Sequence, residues 1–92
     1  MSAPKVVMYV ADWCPYCMRA RNLLAAKGVV AEEIDVDAVP GAREEMRARS
    51  GRDTVPQIFI GESHVGGSDE LQALDTAGSL DAMLKQPEPE RP

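Results

Sequence analysis

An α/β fold, built as a mixed four-stranded sheet with helices on both faces, is what this 92-residue sequence predicts. Three observations carry that expectation. The elements alternate as strand, helix, strand, helix, strand, strand, helix. The first two strands are separated by a helical stretch, and such a crossover joins parallel neighbours. The last two are separated only by Gly61-Glu62, which suits a tight antiparallel hairpin.

Each element has a local cause. Lys5-Val6-Val7-Met8-Tyr9-Val10 is β-branched and apolar on both faces, as a buried strand requires. A helix follows from Pro15 to Lys27. Proline fits its first position because the missing N–H has no intrahelical partner there. Cys17, Ala20, Leu23 and Leu24 mark its buried face, and Gly28 is a stop. Val30 to Asp35 reads as the second strand. Pro40 to Ser50 reads as a charged helix with a thin apolar face of Val39, Ala42 and Met46, closed by Gly51. Gln57-Ile58-Phe59-Ile60 and Ser63-His64-Val65 are the hairpin strands. Ser68 is the expected N-cap of a helix running to about Ala77, with Leu71, Leu74 and Ala77 inward. Ser79 caps a last short helix through Leu80, Met83 and Leu84. Residues 86–92 alternate proline with charge and read as a disordered tail behind a domain of residues 1–85.

Composition bounds the function. At 10.0 kDa, with 45% apolar and 27% charged residues, the chain makes one small domain with no room for a separate substrate domain. A net charge of -5 disfavours nucleic acid, whose phosphates need a basic face. The longest apolar run, Val6 to Ala11, is far too short to cross a bilayer. The opening residues carry no apolar segment of signal-peptide type, so a cytoplasmic protein without a membrane partner is expected. Eight of the ten Lys/Arg fall within residues 1–53, several of them near the cysteines in sequence.

Those cysteines are the most informative feature. There are two, Cys14 and Cys17, separated by two residues. Closing so short a loop with a disulfide stabilises a chain by only about 2 kcal/mol, so a structural staple is a poor reason for the spacing. A structural zinc needs about four ligands, and His64 is the only other soft ligand, distant in sequence; no metal is expected. A reversible dithiol remains. Cys14 stands where the first strand hands over to the helix. Unpaired N–H groups of the first turn and the helix dipole there favour an anionic sulfur. Cys17 lies one turn on, shielded with Ala20 and Leu24. Cys14 is thus the attacking sulfur and Cys17 the resolving one.

Three segments in register carry a family resemblance: Cys14-Pro15-Tyr16-Cys17, Thr54-Val55-Pro56-Gln57-Ile58-Phe59-Ile60, and Gly66-Gly67-Ser68-Asp69-Glu70. From about Val6 to Leu84 the chain resembles the thioredoxin-like fold in its minimal form, and within it the dithiol glutaredoxins of the bacterial glutaredoxin 3 type. Thioredoxins resemble it less, since they usually carry Gly-Pro between the cysteines. The resemblance implies a glutathione-dependent thiol-disulfide oxidoreductase. It would reduce protein–glutathione mixed disulfides through Cys14 and protein disulfides through both cysteines, as a monomer, with glutathione as reductant. A favoured anion also makes Cys14 a good leaving group when a second glutathione releases it.

The resemblance further implies a glutathione groove. Val55, before an expected cis Pro56, would pair its backbone with the cysteinyl part of glutathione, and Thr54 would hold that loop. Gly67, Ser68 and Asp69 at a helix start would receive the γ-glutamyl end, and Tyr16 would form a wall. Arg52 is the first choice for the glycyl carboxylate and Arg19 the second. The sequence departs from the family in three places. Ala11 stands where many members have a lysine. Asp12-Trp13 precede the first cysteine, and the Asp12 carboxylate opposes an anionic sulfur. Ser68 replaces a frequent cysteine. His64 is read as a surface strand residue without chemistry. Two rival functions share the motif: a glutaredoxin-like electron donor reduced by thioredoxin reductase, and an iron–sulfur cluster carrier. The groove residues argue against the first, and Pro15, which crowds the loop, against the second.

Overall fold

A computed structural model describes residues 4–85; the expected tail, 86–92, lies outside them. The elements are β1 (Val6–Val10), α1 (Pro15–Ala26), β2 (Glu32–Asp35), α2 (Ala42–Ser50), β3 (Gln57–Ile60), β4 (Ser63–Gly66), α3 (Ser68–Thr76) and α4 (Ser79–Lys85). The sheet order is β2-β1-β3-β4. β1 pairs with β2 in parallel, and β3 pairs antiparallel with both β1 and β4, as the connection lengths predict.

The pleat of β1 divides the core. Val6, Met8 and Val10 point to one face, with Ile58 and Ile60 of β3. Cys17, Ala20 and Leu24 of α1, Leu71 of α3 and Leu80 of α4 cover them. Tyr9 and Phe59 point to the other face, where Ala42 and Met46 of α2 meet them with Val36. Helices therefore lie on both faces. The buried Leu24, Leu71 and Leu80 each contribute about 1.5–3 kcal/mol through burial, which fastens α1, α3 and α4 to the sheet.

Several boundaries differ from expectation. β2 starts at Glu32, and Val30 is 96% exposed. The reason is the turn after α1, where the Val29 N–H bonds back to the Leu24 carbonyl and Gly28 takes φ +76. The chain is still rounding the helix end at Val30. α2 starts at Ala42 rather than Pro40, and Val39 is exposed before it. Ala77 faces solvent, because α3 ends at Thr76 and leaves it beyond the last turn. Ser68 is the first residue of α3 and not its cap. Gly67 holds that position, and its N–H donates to the Glu70 carboxylate at 2.6 Å.

On the α2 face, two long-range contacts surround the ring of Tyr9. Its hydroxyl donates to Glu45 and accepts from Arg49. The Arg49 guanidinium lies 4.1 Å from the Phe59 ring centroid. A cation over an aromatic face adds attraction to the apolar packing.

Candidate active site

The site forms where β1 ends and β3 begins. Tyr9 pairs with Gln57 in the antiparallel register, so the segment after β1 and the segment before β3 emerge at the same end of the sheet. That brings Cys14 to Val55, 41 residues away: the Cys14 thiol reaches the Val55 carbonyl at 3.8 Å. The Val55–Pro56 peptide bond is cis, as expected for that turn.

Cys14 is the N-cap of α1, with extended backbone angles, and Pro15 opens the helix. The Cys17 N–H donates to Cys14 Sγ at 3.1 Å. The sulfur thus takes the place an oxygen occupies in an ordinary N-cap and receives one of the helix's unpaired donors. Cys14 is partly exposed. Cys17, with 1% of its surface accessible, packs in the core beneath it. Burial pushes the Cys17 thiol up to about 12, helped by its hydrogen bond and charge interaction with Cys14. The pair is asymmetric in the expected sense: one sulfur is open and receives a donor, the other is buried and held as a thiol.

Beside Cys14 lies an open groove of about 220 Å³. All eight non-cysteine residues expected to bind glutathione line it: Tyr16, Arg52, Thr54, Val55, Pro56, Gly67, Ser68 and Asp69. They come from α1, the loop before β3 and the start of α3. Arg19, the second choice for a carboxylate, is not among them; its guanidinium stacks 5.5 Å from the Tyr16 ring centroid.

Two residues that the sequence places in the motifs, but to which it assigns no site role, hold the groove in shape. The Glu70 carboxylate accepts the Gly67 N–H at 2.6 Å and Arg52 Nη1 at 3.0 Å. The Gly67 N–H and then Arg52 hold its pKa below the usual carboxylate range. One side chain therefore ties the α3 start to the arginine across the groove. Its position three residues after Gly67 is the spacing of a capping box, the signal that marks it. Gln57 is the second. It is fully buried, and its Nε2 donates to both the Thr54 carbonyl and Thr54 Oγ1, at 3.0 and 3.1 Å. Its Oε1 accepts from His64 Nε2 at 2.7 Å. Since Nε2 of Gln57 is already donating, His64 Nε2 carries the proton. His64 also stacks on Phe59, with ring centroids 4.9 Å apart. Burial against that ring, and then the Arg52 charge, push its pKa down. It is a surface strand residue, as expected, but one that braces Gln57.

Among the described residues, no three His, Cys, Asp or Glu side chains are grouped to hold a metal ion. No helix among them is long and apolar enough to cross a membrane.

Two cysteines at the head of a helix, one open and one buried, facing the loop before an antiparallel strand, define a dithiol oxidoreductase site on the thioredoxin fold. A family model for glutaredoxin matches residues 6–65. Glutaredoxin 3 of Escherichia coli strain K12 is 54% identical over 80 residues, covering 87% of this chain and 96% of that protein. The solution structure of glutaredoxin from Brucella melitensis superposes with a TM-score of 0.80 at 54% identity, covering 92% of each chain. The crystal structure of a buckwheat glutaredoxin–glutathione complex superposes with a TM-score of 0.80 at 29% identity, covering 89% of this chain and 76% of that one. The chain belongs to the glutaredoxin family and is a thiol-disulfide oxidoreductase.

Proposed function

We propose that the protein is a glutathione-dependent reductase of protein–glutathione mixed disulfides and, through both cysteines, of protein disulfides. The single observation that carries this reading is the convergence of all eight expected residues on one groove next to Cys14. The buckwheat protein to which this chain is similar binds glutathione. In the groove, the Val55 backbone pairs with the peptide part of glutathione like an added strand. The start of α3 receives the γ-glutamyl carboxylate, and Asp69 takes the ammonium. Arg52, held by Glu70, presents its remaining N–H groups to the glycyl carboxylate.

The cycle follows from the asymmetry of the sulfurs. The Cys14 thiolate attacks the glutathionyl sulfur of a mixed disulfide, and the protein sulfur leaves as a thiolate and takes up a proton. Cys14 is now bonded to glutathione in the groove. The thiolate of a second glutathione attacks that glutathionyl sulfur and releases Cys14, forming glutathione disulfide. With a protein disulfide, Cys14 first bonds to the substrate sulfur, and Cys17 then attacks Cys14 Sγ and expels the substrate thiolate. Two glutathiones reduce the resulting Cys14–Cys17 disulfide.

Part of what holds Cys17 as a thiol is Cys14 itself, through a hydrogen bond and charge. Once Cys14 is in a mixed disulfide those two contributions vanish, and burial alone raises the thiol, opposed by the Ala11 backbone and the Arg21 charge. Cys17 ionises more readily at the step that needs it. The protein acts as a monomer in the cytoplasm, where glutathione keeps thiols reduced.

Coupled turnover with glutathione, glutathione reductase and a glutathionylated peptide tests the reading. Cys14→Ser abolishes turnover, while Cys17→Ser retains it. If Cys17→Ser is as inactive as Cys14→Ser on that peptide, the cycle through Cys14 alone is wrong.

A further inference from the structure

A second cavity reaches the reactive sulfur. It measures about 550 Å³, includes Cys14 in its wall, and shares no residue with the glutathione groove. Trp13, Met18, Pro15, Asp12 and Arg21 shape it. Trp13 is 98% exposed and Met18 57% exposed, so two large apolar side chains stand in water beside the reactive sulfur. Trp13 is also the one non-glycine residue with positive φ, at +56, among the described residues. A tryptophan in the left-handed region is strained and gains no packing here to offset it.

The charges at this cavity do not balance. Arg21 is consumed by a bidentate pair with Glu33, at 2.6 and 2.7 Å. The Asp12 carboxylate has no hydrogen bond or ion pair among the described residues. The cavity therefore offers an apolar platform with one unneutralised negative charge at its edge.

We infer that this cavity seats the polypeptide flank of a disulfide substrate, with an apolar residue against Trp13 and Met18 and a lysine or arginine against Asp12. The inference deepens the proposed function, because its occupant is a chain bonded through its half-cystine to Cys14. Continuity with that sulfur fixes where the occupant sits, and charge complementarity fixes its sign. The groove proposed for glutathione shares no residue with this surface. Trp13 and Asp12 accordingly sort polypeptide substrates and leave small disulfides alone.

The test uses single-turnover reduction of two peptide disulfides by the reduced full chain, with no glutathione present. The peptides are the symmetric disulfide dimers of Leu-Cys-Lys and Leu-Cys-Glu. In each reaction Cys14 bonds to one peptide sulfur and the other peptide leaves as its thiol. The wild type reduces the lysine peptide faster than the glutamate peptide by about tenfold. Asp12→Lys reverses that order, a result that a general change in sulfur reactivity would not produce. Trp13→Asn, which tolerates positive φ, slows both peptides several-fold and leaves turnover of hydroxyethyl disulfide with glutathione within about twofold of wild type. An unchanged peptide preference in Asp12→Lys, or an equal loss on hydroxyethyl disulfide in Trp13→Asn, overturns the inference. Absence of glutathione turnover in the wild type overturns instead the glutathione reading, and the peptide ratio in Asp12→Lys then still decides this one.

Discussion

Replacing Gly66 with alanine tests how the groove is held together. Gly66 is buried at the end of β4 with φ +112, a conformation that costs an L-residue about 1–3 kcal/mol. A Cβ placed there lies 2.6 Å from Glu70 Oε1, 3.1 Å from its Cγ and 3.2 Å from its Cβ. The flexible carboxylate is the part that yields, so it swings away from the Gly67 N–H and from Arg52. The Glu70 side chain is 44% exposed, which discounts that charged hydrogen bond to about 1 kcal/mol. With about 2 kcal/mol for the backbone, the total is about 3 kcal/mol. In a domain of this size that lowers Tm by about 12–24 °C. Glu70→Ala alone costs about 1 kcal/mol. Because Gly66→Ala has already displaced the carboxylate, the double variant costs about 3 kcal/mol, not about 4. Thermal and urea unfolding of the four proteins measure the cycle. Strictly additive losses would refute the displacement, and a loss in Gly66→Ala below about 1 kcal/mol would refute the backbone argument as well.

Two further outcomes follow from the buried groups. Folding raises the Cys17 thiol from an ordinary value of 9.0 to about 12, so the folded state retains a proton that the unfolded chain releases. The associated stability is complete below about pH 9 and is lost between about pH 9 and 12. Tyr9, also raised by burial, acts in the same direction. Urea unfolding at pH 8, 10 and 11 should show the decline, and Cys17→Ala should flatten it; an equal slope in that variant would show that the thiol does not carry it. Gln57→Leu removes both bonds to Thr54 and the brace from His64. Since Thr54 and His64 are exposed and recover water, stability falls by only about 1 kcal/mol, while KM for glutathione rises several-fold. An unchanged KM would mean that the Thr54–Val55 loop is held by other contacts.

Much of this was legible in the chain because the governing signals are local. Cys17, Ala20 and Leu24 repeat with the helical period and are all essentially inaccessible. Gly61-Glu62 is too short a link for anything but an antiparallel hairpin, and the helical link between β1 and β2 implied parallel strands. The groove residues were legible only through the family resemblance, since no periodicity brings residue 16 to residue 69. The misreadings share a cause. Ser68 has the chemistry of a cap, but the positive φ at Gly66 brings Gly67 N–H onto Glu70, and the serine is displaced one position into the helix. Val30 is apolar and β-branched, yet its exposure is decided by how the turn after α1 closes. Gln57 sits in an otherwise apolar strand, and only its partners explain a buried amide. Tyr9, Glu45 and Arg49 meet across separations of 36 and 40 residues, which leave no local mark.

The antiparallel register between β1 and β3 has a bearing on synthesis. Both sulfurs are synthesised before β3, the strand that follows the Val55 carbonyl beside Cys14 and is complete only at Ile60. For the intervening stretch of translation the nascent chain carries a dithiol without the wall that later confines it. An oxidant or a cysteine of another unfinished chain meets that pair with none of the selectivity of the finished enzyme, so the newborn protein depends on its surroundings for the reducing power it later dispenses.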